Sequence, residues 1–326
     1  MRMPGHPVLY SPALVLALAL PVSQPAQAQG LPEFGPLNPV ASSRSALYFQ
    51  PFREADLGRW HHAVALDYAS LIEYNRLYEA DYVLDSEVLR LSFGLSRDLG
   101  RRTFLALSAS IGGVYAGFLD GFLDWYHGKL GFRMSEREER PQDEFLFSID
   151  LPDGRTVNRA RTDLFLGDVR AGLGFRVSSQ LQTVFSVTLP TSTGPEGYGR
   201  GVPSAAVLNT LKAQVTPRLT YEGSVGVGVT PTHGGMSDFQ NTAMLAVSSG
   251  LRHRIWGNQS LYGNLFYHSP YYHDTSLPAL DLRELSLDFG WTLQTRGGGE
   301  WRIGLTEDLE PAGPGVDLVV RLGRTF

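Results

Sequence analysis

Most of the chain alternates between apolar and polar residues one position at a time. From Leu285 to Leu293, large apolar side chains occupy every second position, and serine, aspartate, glycine and threonine stand between them. A period of two places all the apolar side chains on one face of an extended strand. The same pattern recurs over residues 89–96, 168–176 and 219–229. The body of the chain is therefore predicted to be all-β, a succession of two-faced strands.

The connections between these strands alternate in length. Tight turns such as 98–101 and 178–180 alternate with long polar loops such as 190–204 and 231–240. Short turns on one rim and long loops on the other are typical of outer-membrane barrels. The pattern predicts a transmembrane up-and-down antiparallel β-barrel of about twelve strands over residues 60–326. A soluble sandwich or lipocalin-like barrel, which would alternate in the same way and bury its apolar face, is the alternative fold.

Both ends of the chain predict export to the outer membrane of a Gram-negative bacterium. Residues 1–28 have the features of a signal peptide, with an apolar run over 13–20 and the small-x-small pattern at 26–28. Residues 29–59 are predicted to be an irregular N-terminal lead-in. The last strand ends in Phe326, and this ending resembles the signal read by the barrel-assembly machinery. The expected partners are that machinery and outer-membrane lipids.

Composition excludes several classes of function. The 326 residues are 43% hydrophobic and 11% aromatic, carry a net charge of -5 and include no cysteine. The chain is too apolar to be disordered, and it lacks the basic footprint of a nucleic-acid-binding protein. Without cysteine it has no thiolate metal site, cysteine nucleophile or disulfide. No cofactor motif is visible, so no cofactor is expected.

A membrane-embedded hydrolase is a less favoured alternative. Such an enzyme needs a serine and a histidine in contact, with a third group orienting the histidine. His268 and Ser269 are neighbours in the sequence, but adjacent residues on a regular strand point to opposite faces. No catalytic residue is therefore predicted, and the chain is not expected to be an enzyme.

The loop over residues 117–161 is much longer than a hairpin needs, and loops of this size usually have a function or their own structure. Phe118, Phe122 and Tyr126 recur every four residues, which predicts a short amphipathic helix. Residues 145–154 are predicted to form a small hairpin. The candidate functional residues of this loop are Asp120, Asp124, Tyr126, His127, Arg137 and Arg140.

Two interpretations of the predicted helix remain open. Asp120, Asp124 and His127 share one flank, and this flank is expected to anchor the helix to the barrel rim or lumen by hydrogen bonds. A metal or proton-transfer site is the alternative, although two carboxylates and one histidine are a weak ligand set. The apolar stripe is expected to pack in the barrel mouth or to lie in the outer-leaflet interface.

The polar face of the predicted strands carries charges of both signs. The candidate lumen charges are Asp168, Arg170, Arg176, Glu222, Arg252, Glu284, Asp288, Arg302, Asp317 and Arg321. Small inward residues, including Gly226 and Gly228, leave space beside any inserted segment. The long loop is expected to fold into that space and narrow it. The pattern favours a narrow or gated channel for small solutes, with a structural or adhesive barrel as the alternative.

The chain contains a set of short motifs spread over most of its length. They are Asn38-Pro39, Leu84-Asp85-Ser86-Glu87, the segment from Gly117 to Leu123, Tyr126-His127, Leu130-Gly131-Phe132, Arg137 and Arg140. Together these motifs resemble one family of bacterial outer-membrane proteins, the domain-of-unknown-function family 3187. The resemblance covers most of the chain after the signal peptide, and Ser86 departs from it where glycine is expected. It implies a membrane barrel and brings no catalytic residues with it.

Overall fold

The computed structural model describes residues 34–76, 81–130, 141–296, 298–310 and 312–326. Its strands, in chain order, are β1 (Trp60–Arg76), β2 (Asp81–Asp98), β3 (Thr103–Tyr115), β4 (Leu146–Asp150), β5 (Thr156–Asn158), β6 (Thr162–Leu166), β7 (Val169–Arg176), β8 (Leu181–Leu189), β9 (Ser204–Thr216), β10 (Leu219–Val229), β11 (Ala243–Trp256), β12 (Gln259–His268), β13 (Glu284–Gln294), β14 (Glu300–Asp308) and β15 (Leu318–Thr325). The predicted signal peptide over 1–28 lies outside the described residues.

Within these residues, 12 strands form a closed antiparallel barrel, which confirms the predicted fold. The strands β1, β2, β3 and β7 to β15 pair in that order, and β15 returns to β1. The closing pairs run from Ala63 opposite Thr325 to Ser70 opposite Leu318. The hairpin β4–β5 lies outside the closed ring of strands, and its β4 pairs with the first residues of β2. The short strand β6 pairs with the end of β3, just before β7 begins. We call the two ends of the barrel the short-turn end and the long-loop end.

The barrel has polar residues inside and apolar residues outside. Asn264 and Leu265 are neighbours on β12, yet the first is 1% exposed and the second 46% exposed. Arg321 and Leu322 on β15 show the same contrast. A soluble sandwich or lipocalin-like barrel would have the opposite arrangement, because its apolar face must be shielded from water. The exterior is that of a transmembrane barrel.

The segment predicted as an irregular lead-in runs inside the barrel. We call its residues 34–56 the plug. The ring of Phe34 stacks on Phe266 of β12 in the lumen, at 3.6 Å between ring centroids. From there the plug rises to the long-loop end, turns at α1 (Pro39–Ser42) and descends to the short-turn end, where β1 begins. Only this short helix and a bridge to Phe49 give the plug regular structure, so hydrogen bonds to the wall must hold most of it.

Glycines on β10 allow the plug to approach the wall closely. A Cβ atom at Gly226 would lie 2.8 Å from the side chain of Leu47, and one at Gly228 would lie 2.9 Å from the Cβ atom of Ala46. Real Cβ atoms do not approach other atoms so closely, so larger residues here would push the plug away. The small inward residues therefore make room for the plug.

An apolar cap closes the long-loop end. It combines plug residues with the outer parts of β1 and β2, the hairpin β4–β5 and the short helix α3 (Pro278–Asp281). Its fully or nearly fully buried members include Leu37, Val40, Leu71, Tyr82, Leu84, Phe147, Ile149, Leu151, Tyr271, Leu277, Leu280 and Val316. The remaining helix, α2 (Asp120–Leu130), belongs to the long loop. No helix in the described ranges is long and apolar enough to cross a membrane.

Candidate functional site

At the short-turn end, Arg176 of β7 holds the plug by its backbone. Its guanidinium donates hydrogen bonds to the carbonyl oxygens of Arg53 at 2.7 Å and Glu54 at 3.1 Å. The same group forms an ion pair with the buried carboxylate of Asp98 on β2. That carboxylate also accepts a hydrogen bond from the backbone N–H of Asp56. One arginine and one aspartate thus connect the plug to two strands.

Polar side chains on neighbouring strands continue this attachment. The carboxylate of Glu222 on β10 accepts a hydrogen bond from the Phe52 N–H at 2.8 Å. The side-chain amide of Gln182 on β8 bonds the plug twice, because it accepts from the Arg53 N–H at 2.8 Å and donates to the Pro51 carbonyl at 2.9 Å. These bonds satisfy backbone groups that would otherwise be buried without partners.

At the long-loop end, the plug itself provides the side chains. The Arg44 guanidinium donates to the carbonyl oxygens of Thr230, Pro231 and Asn241 at 2.8–3.0 Å. Burial lowers the pKa of Arg44 from its ordinary value, but an arginine remains charged in proteins. The Asn38 amide donates to the Glu73 carboxylate of β1 at 2.6 Å. Both ends of the plug are therefore tied to the wall.

The predicted lumen charges face inward or lie at the rim of the lumen, and Arg176 and Glu222 form hydrogen bonds with the backbone of the plug. Arg170 lies over the ring of Tyr48 in the plug, 3.2 Å from its centroid, and donates to Thr188. Asp168 accepts hydrogen bonds from Arg200 and from the Ser192 N–H.

The remaining predicted charges form networks across the wall. Arg252 and Arg302 share the carboxylate of Glu300. Arg321 pairs with Asp67 and lies 3.6 Å from Asp288.

Two of the predicted charges lie towards the long-loop end. The Glu284 carboxylate accepts a hydrogen bond from the Tyr271 hydroxyl at 2.6 Å. Asp317 is half-buried and immediately precedes β15. Glu284 is therefore bonded to a buried residue of the cap, Tyr271.

Three cavities follow one another between the plug and the wall. The cavity at the short-turn end has a volume of about 400 Å³, the middle one about 100 Å³ and the one at the long-loop end about 210 Å³. The first two share Ala63, Gly94, Ser108, Arg170, Arg302 and Thr325 in their linings. The middle and outer cavities share Asp168. We call this series of cavities the passage.

The helix of the long loop lies on the outside of the barrel, not in the lumen. The outward-facing carboxylate of Glu87 on β2 accepts hydrogen bonds from the backbone N–H groups of Phe118 and Leu119. Gly117 has a φ of 80°, and a Cβ there would overlap the Glu87 carboxylate. Leu123 is fully buried, whereas Phe118 and Trp125 are 68% and 58% exposed. The loop helix thus covers the outer ends of the strands and presents aromatic rings outward.

The candidate loop residues serve different contacts. Asp120 accepts from the Asp143 N–H at 2.8 Å, and Asp124 accepts from the Gln142 side chain at 2.8 Å. Burial and the nearby carboxylate of Glu307 on β14 raise the pKa of Tyr126. His127 lies in α2, and its side chain is outside what the structure describes. Arg137 and Arg140 lie outside the described residues altogether.

No metal centre is formed by the described part of the chain. It holds no group of three histidine, aspartate or glutamate side chains close enough to bind an ion. Asp120 and Asp124 instead hold the segment before β4 by hydrogen bonds.

The rest of the long loop covers the mouth of the barrel. The hairpin β4–β5 contributes Phe147 and Ile149 to the apolar cap. At its tip, Arg155 donates to the Gly235 carbonyl and pairs with Asp238, both at 2.9 Å, in the loop between β10 and β11. Hydrogen bonds from Arg155 also lower the pKa of Asp153. The expectation that the long loop enters the lumen is therefore wrong for its helix, while its hairpin closes the mouth.

One buried contact joins a serine and a histidine. His268 faces the lumen, and its Nε2 lies 3.1 Å from the Oγ of Ser45 in the plug. The other ring nitrogen contacts the Ser269 carbonyl oxygen at 2.6 Å. Ser45 is completely buried and donates to the Leu47 carbonyl. The sequence did not indicate this pair, because the two residues are 223 positions apart and Ser45 belongs to no periodic pattern.

Several solved membrane barrels have a similar fold. The NanC porin matches with a TM-score of 0.46 at 8% identity, covering 81% of this chain and 98% of that one. The translocator domain of the autotransporter NalP from Neisseria meningitidis matches with a TM-score of 0.43 at 10% identity, covering 89% of this chain and 92% of that one. The CymD monoaromatic hydrocarbon channel gives 0.40 at 11% identity, with 89% and 91% covered.

A search of curated protein sequences gives no match. The family profile described as protein of unknown function (DUF3187) matches residues 8–326, nearly the whole chain. This match includes the plug, the loop helix and all strands of the barrel. The chain therefore belongs to the DUF3187 family, as its motifs indicated.

Proposed function

We propose that the protein is an outer-membrane channel of narrow bore for small solutes, closed by its own plug in this structure. The observation that carries this proposal is the passage, whose cavities run from the short-turn end to the loops at the long-loop end. A barrel that served only as a scaffold would need no polar space between plug and wall. The passage is lined by charged groups and small residues, which suit hydrated solutes.

The exterior of the barrel supports a position in the outer membrane. Its apolar outer face suits a bilayer, and the short turns would face the periplasm with the long loops outside the cell. Phe326 is exposed at the short-turn end, while its N–H donates to the His62 carbonyl of β1 at 2.9 Å. An exposed terminal ring beside the closing seam is accessible to the assembly machinery.

We do not assign an enzymatic activity. The Ser45–His268 contact is the arrangement most similar to a nucleophile and base. Ser45 is fully buried and already donates its proton to a carbonyl oxygen, and a nucleophile must be reachable by substrate. The contact instead anchors the plug to β12.

Planar-bilayer recording tests the channel proposal. The full-length protein should show small, infrequent openings, and a variant lacking residues 34–56 should conduct more and remain open longer. Heat-modifiable migration on a gel establishes that the variant still forms a barrel. If both proteins insert and neither conducts, the channel proposal fails and the structural or adhesive role takes its place.

A further inference from the structure

Positive charge concentrates along the passage, although the chain as a whole is negative. Its net charge is -5. Among the described residues that line the middle cavity, Asp168 is the one acid, and it is paired with Arg200. The cations with inward side chains in the same lining are Arg90, Arg170, Arg302 and Arg321. Arg324 also borders this cavity, but its side chain lies on the outer face over the Trp301 ring. The charged groups that face the smallest cavity are thus mainly guanidinium groups.

The acids that balance these arginines stand behind them. Asp67 pairs with Arg321 and Arg90, and its side chain is 3% exposed. Glu300 pairs with Arg302 and Arg252, and its side chain is fully buried. Neither carboxylate lines any of the three cavities of the passage. A solute in the passage therefore meets the guanidinium groups first, and their field acts at shorter range than that of the carboxylates.

The part of the wall between these arginines leaves room for a solute. Inward positions of β1, β2 and β3 carry small residues, and those that line the middle cavity are Ala63, Ala65, Ser92, Gly94, Ser108 and Ser110. Arg170 is held in place by the Tyr48 ring and by Thr188. Such fixed guanidinium groups bind oxyanions well, because their hydrogens point at a defined place.

The larger cavity at the short-turn end also has more positive than negative side chains in its lining. Its lining adds Arg53, Arg59 and Lys212 to Arg170 and Arg302, against the acids Glu54 and Asp56. Glu54 is itself paired with Lys212 at 2.9 Å. A cavity in which positive groups outnumber negative ones concentrates anions and raises their rate of entry.

We propose that the passage selects small anionic solutes, whose carboxylate or phosphate group moves between Arg170, Arg302 and Arg321. This proposal rests on the channel function. It adds to that function the class of solute, because a channel can equally be unselective for charge or prefer cations. The hydroxyls of β2 and β3 contact the uncharged part of the solute.

Reversal potentials across a planar bilayer test the charge preference. The full-length protein and the variant without residues 34–56 are recorded between unequal concentrations of potassium chloride, and then of potassium acetate. Both anions should permeate about tenfold faster than potassium. The variants Arg170→Gln and Arg302→Gln should lower that ratio severalfold, whereas Arg254→Gln, at an exposed position near the end of β11, should leave it unchanged. Heat-modifiable migration establishes that each variant is folded.

The outcomes separate the two proposals. If neither the full-length protein nor the variant without residues 34–56 carries current, the channel function is refuted, and the anion preference is refuted with it. Current carried equally by both ions, or mainly by potassium, overturns the anion preference and leaves the channel function standing. Anion selectivity that persists unchanged in both arginine variants also overturns the proposal, because it would arise elsewhere in the barrel. Should the variants fail to fold, the permeability ratio of the unaltered chain decides.

Discussion

Replacing Arg176 by methionine should loosen the plug at the short-turn end. Methionine keeps an unbranched stem that can pack near Phe104, over which the guanidinium lies at 4.9 Å. It removes the hydrogen bonds to the carbonyl oxygens of Arg53 and Glu54. These bonds exist only while the plug is docked, so their loss destabilises the closed state relative to the open one.

The size of the effect follows from these two bonds. A hydrogen bond to a charged donor contributes about 1.5–3 kcal/mol, so two of them contribute about 3 kcal/mol at the lower end of that range. A difference of this size changes an equilibrium constant by a factor of about 100. The plug is weakened and not released, because Asp98 still binds the Asp56 N–H and lies 3.7 Å from Arg53.

Single-channel recording of the Arg176→Met variant measures this change. The fraction of time spent open should rise by about two orders of magnitude, with the single-channel conductance little changed. Arg254→Met is the matched control, since Arg254 donates to the Pro217 carbonyl at an exposed turn and does not contact the plug. An open fraction equal to that of the control would refute the idea that Arg176 holds the plug closed.

Four further predictions address the other parts of the structure. Deleting residues 119–142 should leave conductance unchanged, because α2 lies outside the barrel; a larger conductance would mean that the loop obstructs the passage. Gly228→Leu should open the channel in bilayer recordings, because its side chain would collide with Ala46 of the plug; unchanged gating would contradict the close approach. Leu280→Ala should destabilise the folded barrel by about 2–5 kcal/mol, measured as a lower temperature of gel-shift unfolding, and no shift would argue against a packed cap. The fluorescence of Trp125 should be quenched by lipids brominated near the headgroup, with Trp125→Phe as the control; equal quenching in both proteins would place α2 away from the bilayer.

The strands were predictable because their signal is local. The alternation from Leu285 to Leu293 predicts a strand over 282–295, and β13 covers Glu284–Gln294. The helix and the hairpin of the long loop were also visible, since four-residue spacing and a turn motif lie within a few positions of each other. The position of that helix was not predictable from the sequence. The N–H groups just before the helix donate to Glu87, which lies 31 residues before Phe118 and faces outward.

The plug could not be predicted from its own sequence. Residues 34–56 have no apolar period, and many of the hydrogen bonds that tie them to the wall join backbone atoms of the plug to side chains of the strands. Arg176 was recognisable as a lumen charge, but its partners are carbonyl oxygens more than 120 positions away. Backbone carbonyls look alike in every sequence, so such a contact leaves no pattern. The contacts of Ser45 and Tyr48 were not predicted either, because both residues lie in this aperiodic segment and their partners, His268 and Arg170, are more than 120 positions away.

The position of Arg321 has a consequence for how the barrel is assembled. This residue belongs to the last strand and contacts Asp67 on the first strand, Asp288 on β13 and the ring of Phe34 in the plug. The final strand makes all these contacts only while the plug lies between the strands. A barrel whose seam joins while the lumen is empty leaves Arg321 without one of its neighbours, so the docked plug stabilises the pairing of the first and last strands.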